Sequence, residues 1–114
     1  MNNFDLNIGL NVGYIEPRIQ EDRTNYHVNQ SFGRLGLSVE VKDGLGGDWG
    51  TERVMIVKGE TTLSLPQLRR ELISMCARLH QDAISYRYNG IGDIVFNESY
   101  SGEFYEFDKE FYRV

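Results

Sequence analysis

SLPQLRRELISMCARLHQ, residues 64–81, runs directly into DAISYRYNGIGDIVF, residues 82–96, and these two stretches decide the fold. In the first, Leu65, Leu68, Leu72, Met75, Cys76 and Leu79 recur at intervals of three and four, which makes one apolar stripe on a helix. Ser64 suits the N-cap, and Gln67 three residues later completes a capping-box pattern. Pro66 falls in the first turn, where a missing N–H costs little. The spacing predicts a helix from Ser64 to about Gln81. In the second stretch, Ile84, Tyr86 and Tyr88 alternate with Ser85 and Arg87. Asn89-Gly90 follows, a pair that tolerates positive φ at both centres of a type I′ turn, and Ile91 to Phe96 returns as the second arm.

Outward from this centre the periodicity changes from helical to two-residue. Leu6, Ile8, Leu10, Val12 and Tyr14 alternate with Asn7, Gly9, Asn11 and Gly13, the pattern of a strand with one buried face. Leu35, Leu37, Val39 and Val41 predict a second strand over 35–42. Arg53 to Lys58 is apolar on both sides, which places a third strand in the sheet interior. Between the second and third strands, Asp43 to Gly50 reads as a glycine-rich hairpin tip. Ile15 to Gly33 opens on the strand-breaking Glu16-Pro17-Arg18 and continues with the polar run 20–25, so a long loop or hairpin arm is expected. Residues 103–112 fit a strand or a helix, and their aromatic content favours a strand. The order of elements predicts an α+β fold, an antiparallel sheet of five or six strands with one amphipathic helix packed on one face. Residues 1–114 form a single domain, since no linker or repeat divides them.

The chain has a formal net charge of -5 and a pI near 5.0. That balance opposes direct nucleic-acid binding, which depends on Lys and Arg neutralising phosphates, and it opposes attraction to an anionic membrane surface. No apolar run approaches the roughly 18 residues needed to span a bilayer, and the start of the chain lacks the features of a signal peptide. The lone Cys76 allows no internal disulfide. A cytoplasmic protein is expected.

Chemistry-bearing patterns are sparse. Gly44-Leu45-Gly46-Gly47 lacks the lysine and the following helix of a phosphate-binding loop. The polar, glycine-rich tip carries Asp48 and Trp49, and Trp is enriched at interface hot spots. Glu106, Asp108 and Glu110 would form one acidic stripe if the tail is a strand, able to meet a basic partner or simply to stay solvated. Arg69, Arg70 and Arg78 lie on the polar face of the helix and are candidate anion-binding groups. Neither His27 nor His80 stands at a metal-ligand spacing, and Cys76 falls in the apolar stripe. No cofactor or metal is expected.

The helix from Leu68, the polar corner His80-Gln81-Asp82-Ala83 and the hairpin from Ile84 to Phe96 together resemble a pattern found in small accessory proteins of phages and mobile elements. The resemblance covers about a quarter of the chain. It implies a small non-enzymatic protein that binds and blocks a host defence or regulatory protein, and it carries over no individual functional residue. The resulting expectation is an inhibitory protein without catalysis. Its partner would be a host protein, basic or nucleic-acid-binding, met by Trp49, Asp48, Glu106, Asp108 and Glu110. Two alternatives stand beside it. One is a homo-oligomeric module, or one that holds a nucleotide-like ligand between Arg69, Arg70 and the loops. The other is an enzyme in which Glu21 or Asp93 works with His27.

Overall fold

The computed structural model describes residues 1–12, 15–33, 36–45 and 51–99, with only the backbone described for 43–45, 51 and 52. Seven elements follow in the order β1 (Asn2–Gly9), α1 (Pro17–Phe32), β2 (Ser38–Leu45), β3 (Thr51–Thr61), α2 (Leu65–Arg78), β4 (Ala83–Tyr88) and β5 (Ile91–Phe96). The five strands form one sheet in the order β2-β3-β1-β4-β5, and every neighbouring pair is antiparallel. The first four strands and the two helices are two interleaved strand–helix–strand units, the ferredoxin-like arrangement, here widened by β5.

The sheet is α+β and antiparallel as the periodicity predicts, and β3 is an interior strand. Strand β2 begins three residues later than expected and runs to Leu45, so Asp43, Gly44 and Leu45 belong to the ladder and not to the hairpin tip. Helix α2 has its full capping box. The Gln67 N–H donates to Ser64 Oγ at 3.4 Å, and the Ser64 N–H donates to Gln67 Oε1 at 2.9 Å. Asn89 and Gly90 have φ of +49° and +83°, as the type I′ turn requires.

Residues 17–32 correct the expected long loop, and with it the count of one helix. Helix α1 buries Gln20, Thr24 and Val28, one per turn at intervals of four. Two of those three are polar, so the face that packs inward carries no apolar stripe to read. Inside, Gln20 donates Nε2 to the carbonyl of Leu79 at 2.8 Å while its Oε1 is buried without a partner among the described residues, and Thr24 donates its hydroxyl to the carbonyl of Gln20 at 2.7 Å. Burial of polar groups is tolerated where such bonds exist.

Both helices cover the same face of the sheet. Phe4, Leu6 and Ile8 of β1, Met55 and Val57 of β3, Ile84 and Tyr86 of β4 and Val95 of β5 meet Val28 of α1 and Leu68, Leu72, Met75 and Cys76 of α2. Phe32 closes the end of α1 on Phe4, with ring centroids 4.7 Å apart. The polar positions of β1 turn to the opposite face and find cross-strand partners. Arg87 Nε donates to Asp5 Oδ1 at 2.9 Å, and Asn7 Nδ2 donates to Ser85 Oγ at 3.1 Å, each pair in direct register.

Candidate functional site

The polar residues of α2 divide by helical angle into three groups. On the flank facing β5, Arg69 Nη1 donates to the Tyr86 hydroxyl at 2.5 Å and lies 3.3 Å from Asp93 Oδ2. The Tyr86 body is buried, and the Arg69 guanidinium sits 5.8 Å from its ring centroid. This cluster pins the helix to the sheet, and half-exposed pairs of this kind add little to stability.

On the flank facing α1, Arg78 Nη2 donates to Glu71 Oε1 at 2.8 Å, and Glu71 Oε1 also accepts the Ser31 hydroxyl at 2.5 Å. Arg78 Nη1 lies 3.4 Å from His27 Nδ1. The Ser31 hydrogen bond holds the Glu71 carboxyl below its ordinary range, and Arg78 adds to this against the opposing effect of burial. Burial lowers the pKa of His27, and the charges of Arg78 and Arg23 lower it further.

On the outward side, a cleft of about 770 Å³ is lined by Arg70, Ser74, Arg78 and His80, with Asn97 and Glu98 from the segment after β5. Ile73 and Ala77 give it apolar wall. Its size falls within the usual range for small-molecule pockets. Two guanidiniums and a carboxylate in one cleft suit a ligand that carries both signs of charge.

The structure therefore separates the three arginines. Arg70 and Arg78 share the cleft, while Arg69 is bound into the Tyr86–Asp93 cluster on the far flank. The proposed pairing of His27 with Asp93 also fails, since α2 lies between them. Asp48, Trp49, Glu106, Asp108 and Glu110 fall outside the described residues. Among the described residues no three His, Cys, Asp or Glu side chains converge as metal ligands, and no helix is long and apolar enough to cross a membrane.

Cys76 is fully buried in the stripe, and burial, with the nearby charge of Asp82, pushes its thiol up to about 12. A thiol so protonated is a poor nucleophile. The native protein at neutral pH should resist a disulfide-exchange reagent such as Ellman's, and the same protein in denaturant should react in full. Fast labelling of the folded chain would show that the stripe is not packed as described.

No family model matches this sequence, and no curated protein does. Two solved structures share the fold. One is a phage SAM lyase in the apo state, with a TM-score of 0.55 and 16% identity. The other is a phage SAM lyase in complex with S-methyl-5'-thioadenosine, with a TM-score of 0.50 and 15% identity. Each match covers 88% of this chain and 92% of the other. The phage source agrees with the resemblance to phage accessory proteins. The expectation of a protein without catalysis is overturned, because both matched structures are of a lyase, an enzyme. Local motifs gave no warning. A site assembled from separate strands and helices needs no fixed spacing along the chain.

Proposed function

We propose that this chain is an enzyme that cleaves S-adenosylmethionine, releasing S-methyl-5'-thioadenosine. The observation that carries the reading is the likeness of nearly the whole chain to a lyase captured with that thioether. The cleft on α2 adds chemical support. S-adenosylmethionine carries a sulfonium, an ammonium and a carboxylate. Arg70 and Arg78 suit the carboxylate, Glu98 suits a cationic centre, and the volume accommodates the molecule.

The bond accounting is simple. The bond from sulfur to the four-carbon chain breaks, its electron pair stays on sulfur, and the sulfonium becomes a neutral thioether. As that bond breaks, either the unit's own carboxylate attacks the same carbon and closes a lactone, or a base takes a proton from the neighbouring carbon and leaves an alkene, and neither route adds water. Positive charge disappears from the sulfur as the reaction proceeds, so a dry, weakly polar surround favours the transition state over the charged substrate. In the cell such an activity would remove the methyl donor. A defence-evading role would then act through a small molecule and not through a blocked protein surface.

The test is direct. The purified full chain with S-adenosylmethionine should form the thioether in step with substrate loss, well above the spontaneous rate, as followed by liquid chromatography and mass spectrometry. Formation no faster than the enzyme-free control overturns the reading. Arg78→Ala should raise KM about tenfold, because the substrate carboxylate loses its anchor in the ground state.

A further inference from the structure

We infer that the cleft on α2 is a proton-linked anion site, in which the neutral His27 ring steadies Arg78 and an anion bound by Arg78 favours protonation of that ring. This coupling rests on the reading of the cleft as the place where a substrate carboxylate binds, although it does not require turnover. A guanidinium has five N–H donors and no acceptor. The 3.4 Å approach of Arg78 Nη1 to His27 Nδ1 is therefore attractive only when Nδ1 carries a lone pair, that is, in the neutral tautomer with its proton on Nε2. Glu71 grips the same guanidinium at 2.8 Å and is itself oriented by Ser31 of α1. Arg78 is thus held from the α1 side by two residues. Its side chain still keeps 34% of its surface exposed and lines the cleft.

One guanidinium faces both ways, so the two sides communicate. A proton on His27 Nδ1 sets N–H against N–H and turns a tether into a repulsion directed away from α1, toward the cleft. The charged groups around His27 are Arg78 and Glu71 on α2 and Arg23 on its own helix, and the Tyr26 ring stands edge-on at 5.3 Å. Burial opposes the proton most, and the charges of Arg78 and Arg23 add to this. Glu71 favours the proton, but that carboxylate is already shared between Arg78 and Ser31. An anion seated on Arg78 lies well inside a Debye length of the ring and offsets the opposing charge. Coupling of this kind is reciprocal, so the protonated ring binds the anion more tightly by the same factor. Burial and the two arginines shift proton uptake by the folded ring to lower pH than for a free imidazole, and the tighter binding appears as pH falls through that uptake.

The probe is inorganic sulfate, which stays a dianion throughout the range, used with the full chain at constant ionic strength. The ring protons of His27 and His80 are followed by NMR titration and assigned with His27→Gln and His80→Gln. Sulfate should raise the His27 midpoint by about 0.7 pH, equivalent to about fivefold tighter binding to the protonated form and near the weak end of couplings between sites. Because His80 also lines the cleft, the comparison is made on a His80→Gln background: there the sulfate affinity should rise as pH falls from about 7.5 to about 5, and adding His27→Gln should make it flat. A midpoint unmoved by sulfate, an equal movement in Arg78→Gln, or an affinity that still changes with pH when both His27 and His80 are Gln overturns the coupling. Coupling without cleavage of S-adenosylmethionine would remove only the lyase reading. Cleavage without coupling would remove only this one.

Discussion

Replacing Leu72 by alanine should cost about 3 kcal/mol of folding stability, within the ~2–5 kcal/mol range for buried leucines. Leu72 has no exposed surface and sits mid-helix at the centre of the core. The sheet beneath it is braced on both sides of β1, so a cavity there cannot close by local collapse. A domain of this size has roughly 5–15 kcal/mol in total, and each kcal/mol moves Tm by roughly 3–5 °C. The melting point should therefore fall by roughly 10–15 °C, and the urea midpoint should fall with its slope unchanged. Leu65, on the same helix but 40% exposed, is the control. Leu65→Ala should cost less than about 1 kcal/mol. Equal losses at the two positions would mean that α2 does not dock through this stripe.

Gln81→Ala should be the next most damaging, at about 2 kcal/mol. The Gln81 side chain acts as a short stand-in for a strand. Its Oε1 accepts the N–H of Gly9 at 3.1 Å, and its Nε2 donates to the Gly9 carbonyl at 2.9 Å and to the Leu79 carbonyl at 3.2 Å. Gly9 is the last residue of β1, and the ladder to β4 ends at Asn7 and Ser85. The amide thus satisfies backbone groups that the ladder has stopped serving. Truncation strands both Gly9 groups, and each part-buried orphan costs about 1–3 kcal/mol. Gln81→Glu separates this account from simple loss of bulk. A carboxylate can accept from the Gly9 N–H but has nothing to give the Gly9 carbonyl, so it should restore at most part of the loss. Full restoration by Glu at neutral pH would remove the paired-amide explanation.

How much was legible depended on which physical signal each segment carried. Helix α2 and the β4–β5 hairpin announce themselves, because their apolar spacing, cap and turn residues all act locally. Helix α1 does not, because its inward face is Gln20, Thr24 and Val28, whose burial depends on partners elsewhere, such as the Leu79 carbonyl. A signal did exist. Pro17 at the helix start and Gly33 at its end, with φ of +79°, fit the preference for proline first and glycine last. The same Pro17 is also a strand breaker after the apolar alternation that ends at Tyr14, and that meaning masks the helix start. In the cleft, Arg70 and Arg78 were visible as members of a charged face. Their separation from Arg69 was not, because it depends on which flank of α2 meets β5 and which meets α1.

The position of β1 has a consequence for how the chain is made. Strand β1 leaves the ribosome before the other strands of this sheet yet forms its middle, and its partners are residues 51–61 and 83–88. At synthesis rates of about 5–20 residues per second, Phe4, Leu6 and Ile8 wait several seconds for the first of those strands and longer for the second. Each pairing closes a loop of many residues before any contact rewards it, which slows folding. Meanwhile Asn3, Asp5 and Asn7 interrupt the apolar run at every second position, and so guard the nascent strand against pairing with another copy.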